Sequence, residues 1–195
     1  MKRVSLIIIV SLAVSVLAVI QTGCKKPPTI EELQASVEII DMETKWVKKI
    51  YKPWPPKLTL VPAISFRAKN ISNESLKYVF FNAIFWQKDD KENLGDNLQI
   101  GIGKKPLMPG EVSDTLFMKS NFGVEGKLLA DFKNNPAWKT TLVKLFIKSK
   151  GSQFALLGQW EISRKIDFKE PERVGPKKQE KESNERSHSI KGFFN

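Results

Sequence analysis

The stretch ISFRAKNISNESLKYVFFNAIFWQ, Ile64 to Gln87, decides how the rest of the chain is read. Ile64, Phe66 and Ala68 alternate with Ser65, Arg67 and Lys69, the period-two pattern of a strand with one buried face. Asn70, Ser72, Asn73, Glu74 and Ser75 follow as turn chemistry, because short polar side chains bond to nearby backbone. From Leu76 the chain becomes extended again, through tyrosine, valine, phenylalanine, isoleucine and tryptophan, residues that suit a pleated surface. This second strand is apolar on both faces. Val79, Phe81, Ala83 and Phe85 lie on one, and Tyr78, Phe80, Ile84 and Trp86 on the other. Such a strand belongs in the middle of a packed sheet, or has its second face covered by something else.

Working outward, further strands are predicted at Val37–Val47, Lys57–Lys69, Leu98–Ile102, Val112–Lys119, Thr140–Lys148 and Gln153–Ile162. Turn signals at Lys88–Asn93, Pro106–Glu111 and Lys150–Ser152 separate them, and Asn121–Pro136 is a long connection with a helical turn near Leu128–Phe132. The region holds no convincing long amphipathic helix. The expected fold is therefore all-β: an antiparallel immunoglobulin-like β-sandwich of seven or eight strands over residues 33–165. Between the first two strands, Lys52-Pro53-Trp54-Pro55-Pro56 is too proline-rich for a central strand. It reads as a rigid loop that either packs Trp54 over the end of the core or presents it to a ligand.

Composition bounds the partners. The 195 residues carry 32 basic and 21 acidic side chains, a net charge of +11, with 41% apolar residues, enough for one core. That balance favours anionic surfaces: lipid headgroups, polyanions or acidic proteins. The charges are scattered and no nucleic-acid reading motif occurs, so nucleic acid is not an expected partner. Cys24 is the one cysteine, which excludes an intrachain disulfide.

The N-terminus places the protein. Met1-Lys2-Arg3 is a basic start, Val4 to Ile20 is uncharged and apolar, and Thr22-Gly23-Cys24 follows. A run of this length is at the short end of what spans a bilayer, so an uncleaved helix is one reading. The sharper reading is an export signal. Thr22, Gly23 and Cys24 resemble the bacterial lipobox, with Gln21 where an aliphatic residue is usual. That resemblance implies a signal peptide over residues 1–23 and acylation of Cys24, anchoring the mature protein through lipid in the bacterial cell envelope. Lys25, rather than Asp, after the cysteine leans toward the outer membrane in a Gram-negative cell. Residues 24–32, with Pro27-Pro28, read as a linker.

A second resemblance covers Leu58 to Lys119. Phe66 and Asn70, then Ser72-Asn73 and Leu76, the corner Trp86, Gln87 and Asp89, and Leu107 with Pro109-Gly110-Glu111 follow one another in an order similar to that of FxLYD-type immunoglobulin-like domains of secreted bacterial proteins. The resemblance implies an extracytoplasmic sandwich without established catalytic residues.

Beyond Ile162 the composition turns charged and poor in apolar residues, which predicts a disordered tail over 166–195, with Ile190 to Phe194 a frayed end or a docking motif. His188, the one histidine, lies there. Histidine triads and His/Cys zinc sites are thus not expected in the domain, and no G-x-S-x-G, P-loop or G-x-G-x-x-G motif occurs. Asp89, Asp90, Glu92 and Asp96 cluster on one turn, as a solvated loop or a weak calcium site without EF-hand spacing. No cofactor or metal is expected. The function expected is a non-catalytic binding or assembly module on a lipid anchor, taking an envelope protein or anionic polymer through Tyr78, Phe80, Trp86 or Trp54. The alternative is an envelope hydrolase using a carboxylate pair.

Overall fold

The structure, a computed structural model, describes residues 27–171. Cys24, the apolar run before it, His188 and the tail from 172 onward lie outside the described residues. Helix α1 (Ile30–Ser36) comes first, then β1 (Val37–Lys52), β2 (Lys57–Asn70), β3 (Val79–Gln87), β4 (Asn93–Ile102), β5 (Leu116–Lys119), β6 (Val124–Gly126), a 3-10 helix (Leu129–Asn134), β7 (Thr141–Ser149), β8 (Ala155–Glu161) and β9 (Ile166–Asp167). The architecture is an all-β sandwich of two sheets. One runs β5-β2-β1-β9 with β6 also on β2, and the other runs β4-β3-β7-β8. Pairing is antiparallel except between β1 and β9.

Several boundaries differ from those expected. The linker ends early, because Thr29 and Glu32 form a reciprocal capping box that starts α1: Glu32 N–H donates to Thr29 Oγ1 at 3.2 Å, and Thr29 N–H donates to Glu32 Oε2 at 2.9 Å. Among the described residues there are nine strands, the expected seven or eight being supplemented by the very short β6 and β9. Ile166 and Asp167, expected in the tail, pair with Trp46 and Val47 of β1. The strand expected from Val112 begins at Leu116, since Ser113 N–H and Oγ are drawn into bonds with Ala68 that close the preceding loop. Pro62 stands in a central strand, which proline normally avoids. Its carbonyl accepts from Ser120 N–H at 2.9 Å, where the edge partner changes from β5 to β6, so the N–H that proline lacks would face that break in the ladder.

The polar turn after β2 does not fold the chain back into the same sheet. It carries it across the sandwich, placing β2 and β3 in different layers. Asn70 pins the crossing. Although fully buried, it uses every side-chain bond available to it. Nδ2 donates to the carbonyls of Glu74 (2.8 Å) and Leu107 (2.9 Å), and Oδ1 accepts from Ser72 N–H (3.0 Å) and Ser72 Oγ (2.8 Å). Its backbone adds bonds from N–H to Glu111 O and from Gly110 N–H to its own carbonyl.

The core lies between the layers. Val79, Phe81, Ala83 and Phe85 of β3 are buried against Ile64, Phe66 and Ala68 of β2, and Val143, Leu145 and Ile147 join them from β7. Phe66 and Phe81 meet edge-on at 5.3 Å. Beyond the middle, the 3-10 helix brings Phe132 onto Trp138, and Trp138 packs at right angles on Trp46, closing that end. Gly123 permits the turn into β6, because a Cβ there would sit 1.9 Å from the Leu60 carbonyl oxygen.

Two predictions follow from this packing. Phe81→Ala should cost about 3–5 kcal/mol in denaturant unfolding, and Asn70→Ala about 1–3 kcal/mol, because it removes the four side-chain bonds that tie the turn to the Leu107 carbonyl and to Ser72. The β9 contact is pH-sensitive. Lys45 Nζ lies 2.8 Å from Asp167, and the ammonium donating to it holds the Asp167 carboxyl below its ordinary range; the same bond raises Lys45. A depressed acid contributes stability above its unfolded pKa, about 4, and that contribution is lost as pH falls through the lower folded value. Trp46 N–H, which donates to Lys165 O beside β9, should therefore lose hydrogen-exchange protection below about pH 4, and Asp167→Asn should remove that dependence.

Candidate interaction face

On β4 the usual sandwich pattern is reversed. Asn97 and Gln99 point toward the sandwich interior, while Leu98 and Ile100 point to solvent and are 57% and 60% exposed. The bulge between Val79/Ile102 and Phe80/Ile100 then returns Ile102 to the core. Gly101 fills that bulge, where a Cβ would lie 2.4 Å from the Phe81 ring. The inward amides have a specific use. Asn97 Nδ2 donates to Lys119 O at 3.0 Å and Gln99 Nε2 to Phe117 O at 2.9 Å, stitching the β4 edge to β5. Asn121 Nδ2 and Ser120 Oγ reach back to the Asp96 and Leu94 carbonyls.

The outward face of the four-stranded sheet can be read row by row from the strand register. Ile100, Phe80 and Lys148 form the first row, and Leu98, Asn82, Phe146 and Leu156 the second. Asp96, Ile84, Lys144 and Gln159 form the third, and Asn93, Trp86, Leu142 and Glu161 the last. The first two rows are apolar apart from Lys148 and Asn82, the two lysines stand on β7, and the carboxylates are confined to one side of each lower row. Lys144 Nζ lies 5.1 Å from the Trp86 ring and Lys148 Nζ 5.2 Å from the Phe154 ring, each ammonium set over an aromatic face. Asn82 sits between Leu98 and Phe146, and its Oδ1 is buried without a hydrogen-bond partner among the described residues.

The residues singled out from the sequence fall in different places. Phe80 and Trp86 lie on this face, half-buried by their neighbours. Tyr78 precedes β3 in a left-handed conformation, φ 53°, is 36% exposed, and stands beneath Lys77. Trp54 does not pack over the core; it is 86% exposed at the tip of the β1–β2 hairpin, because the proline loop carries it past the last core layer. Cys24 lies outside the described residues. Sequence reading missed Leu98, Ile100 and Leu156 as face residues. Alternation showed that Leu98 and Ile100 share a side, but not which side faces the core.

The acidic turn does not gather a metal site. Asp90 is held by Lys139, and among the described residues no group of three or more histidine, cysteine or acidic side chains converges to hold an ion. Glu125, Asp131 and Asp167 have lowered pKa values, respectively through Lys57, through backbone N–H groups of Leu128 and Lys127, and through Lys45. These contacts favour the ionised form, the opposite of what a general acid requires.

The free edges are engaged as well. Gln34 Nε2 donates to Leu156 O at 2.6 Å and Thr44 Oγ1 to Glu161 O at 3.2 Å, so the β8 backbone is occupied from the side of α1 and β1. With side chains bonded to the backbone of both edge strands, the sheet is less open to strand addition than a bare edge would be.

No family model matches the chain, and neither does any curated protein. Among solved structures, structural-genomics target SoR45 is similar at 8% identity with a TM-score of 0.40, covering 67% of this chain and 89% of that one. Target BeR40 from Bordetella pertussis is similar at 10% identity with a TM-score of 0.35, covering 66% and 93%. Likeness at this distance brings no function to this chain.

Leu98→Gln and Ile100→Gln should each change unfolding stability by no more than about 0.5 kcal/mol. Gln99→Ala, in contrast, should cost about 1 kcal/mol by freeing the Phe117 carbonyl. Urea unfolding of the three variants checks this.

Proposed function

We propose that this protein is a lipid-anchored component of the bacterial cell envelope whose sandwich is a non-catalytic binding or assembly module. In this reading the outward face of the four-stranded sheet takes another envelope protein. The observation that carries it is the reversed β4, which spends inward positions on amides and turns Leu98 and Ile100 to water. Exposed apolar side chains grouped on one face mark interaction surfaces. Phe80, Ile84, Phe146 and Leu156 extend the apolar area. Lys144 and Lys148 suit a partner with acidic side chains beside its apolar contact.

The anchor rests on the sequence: a basic start, an apolar run and Thr22-Gly23-Cys24. The order of turn motifs resembling FxLYD-type domains supports an extracytoplasmic setting, and Lys25 supports the outer membrane.

Two measurements test the proposal. In detergent-phase partitioning, Cys24→Ala should move the protein out of the lipid-modified fraction; unchanged partitioning would favour an uncleaved helix anchor. A photo-crosslinking residue at position 98 in intact cells should capture one protein partner, and the capture should be lost with Ile100→Asp. Equal labelling at position 98 and at a control on the opposite sheet would sink the assignment of the face.

A further inference from the structure

The β1–β2 hairpin carries a second surface, independent of the sheet face. β1 is 16 residues long, a span of roughly 50 Å at full extension. Its start adjoins α1, and residues 1–26 join the domain at Pro27 beside the β7–β8 turn, where a Cβ at Gly151 would lie 3.5 Å from Pro27. The other end of β1 is the tip that carries Trp54. The chain therefore enters at one end of the sandwich and presents Trp54 at the other.

The tip is chemically distinct. Trp54 is 86% exposed, the most exposed of the large apolar side chains among the described residues. Pro53, Pro55 and Pro56 restrict the backbone on either side, so the ring is presented with little ordering entropy left to lose. Lys48, Lys49 and Lys52 are exposed on the strand leading to it. None of the three forms an ion pair with a described carboxylate, whereas nearby Lys45 and Lys57 are neutralised by Asp167 and Glu125. Lys48 lies 5.4 Å from the Phe168 ring, and Lys49 bonds to the Asn121 carbonyl and lies 5.6 Å from the Phe122 ring. These contacts hold both stems against the hairpin while leaving their charges uncompensated.

We infer that this tip binds an anionic polysaccharide. Trp54 offers a flat apolar face to the C–H face of a sugar ring, and Lys48, Lys49 and Lys52 meet the charges along the polymer. A lipid surface fits less well, because one ring between prolines lacks the broad apolar face that interfacial insertion needs. The binding itself does not depend on the proposed anchor. The direction does: with Cys24 in a membrane, the tip reaches away from that membrane toward polymer held at a distance.

The test uses the full chain in detergent micelles, titrated with heparin, with neutral dextran and with polyglutamate, and followed by tryptophan fluorescence. Heparin should bind with a spectral change that Trp54→Ala and Trp54→Phe both abolish; by titration calorimetry Trp54→Ala should weaken affinity by about tenfold, while Trp54→Phe recovers most of that loss. Lys48→Gln with Lys52→Gln should weaken binding and flatten its salt dependence, with the thermal midpoint unchanged. Cys24→Ala should bind heparin as the parent does, which separates failure of this inference from failure of the anchor reading. Polyglutamate binding as tight as heparin and indifferent to Trp54→Ala would reduce the site to general charge attraction and overturn the proposal. Quenching of Trp54 by brominated phosphatidylglycerol vesicles, without heparin binding, would overturn it in favour of a lipid surface.

Discussion

The fold depends on one buried asparagine. Asn70 ends β2 at the point where the chain must leave one sheet and enter the other, and its amide is bonded at all four positions. Two of those bonds shape the crossing itself, through Ser72, and two more reach the carbonyls of Glu74 and Leu107. Leu107 in turn pairs with Leu76, so the β2–β3 crossing and the β4–β5 loop are tied into one unit. A buried polar group is costly unless satisfied, and a fully satisfied one tolerates no alternative arrangement. The consequence reaches the core: with the crossing held in place, Phe66 and Phe81 meet across the sandwich although they are close in sequence.

The same economy explains the exposed face. The two sheets approach along β4 and β5, and the open backbone of that side is satisfied by side-chain amides rather than by a further strand. Amides aimed inward leave their alternating neighbours facing out, so edge closure and the exposure of Leu98 and Ile100 are one structural fact. Closing the edge guards against nonspecific strand pairing, because it leaves fewer open backbone groups for another strand to bond.

The molecule is also polar along its length. The chain enters beside the β7–β8 turn, where Gly151 approaches Pro27, and the longest strand runs from there to the Trp54 hairpin. On that strand Lys45 is neutralised by Asp167, whereas the lysines nearer the tip are not. Aromatic rings lie under the ammonium groups of Lys48 and Lys49, which place those charges without pairing them with a carboxylate.

Much of this was legible in the amino-acid sequence. The alternation of Val79, Phe81, Ala83 and Phe85 identified a core strand, the turn residues separated the main strands, and the prolines around Trp54 marked a rigid loop, though not whether it packs or presents the ring. Those are local properties, set by side-chain period and backbone restriction, and they survive in any fold. The Thr29–Glu32 capping box was equally local, although the linker reading passed over it. What only the tertiary structure decided was partnership. Period two says that Leu98 and Ile100 share a face, and nothing in it says whether that face meets the core or water. The answer came from Phe117 and Lys119, whose carbonyls claimed Gln99 and Asn97. Likewise, the turn chemistry at Asn70 announced a reversal but not its destination. That depended on Leu107, 37 residues farther along, because hydrogen-bond satisfaction in a core is settled between distant segments.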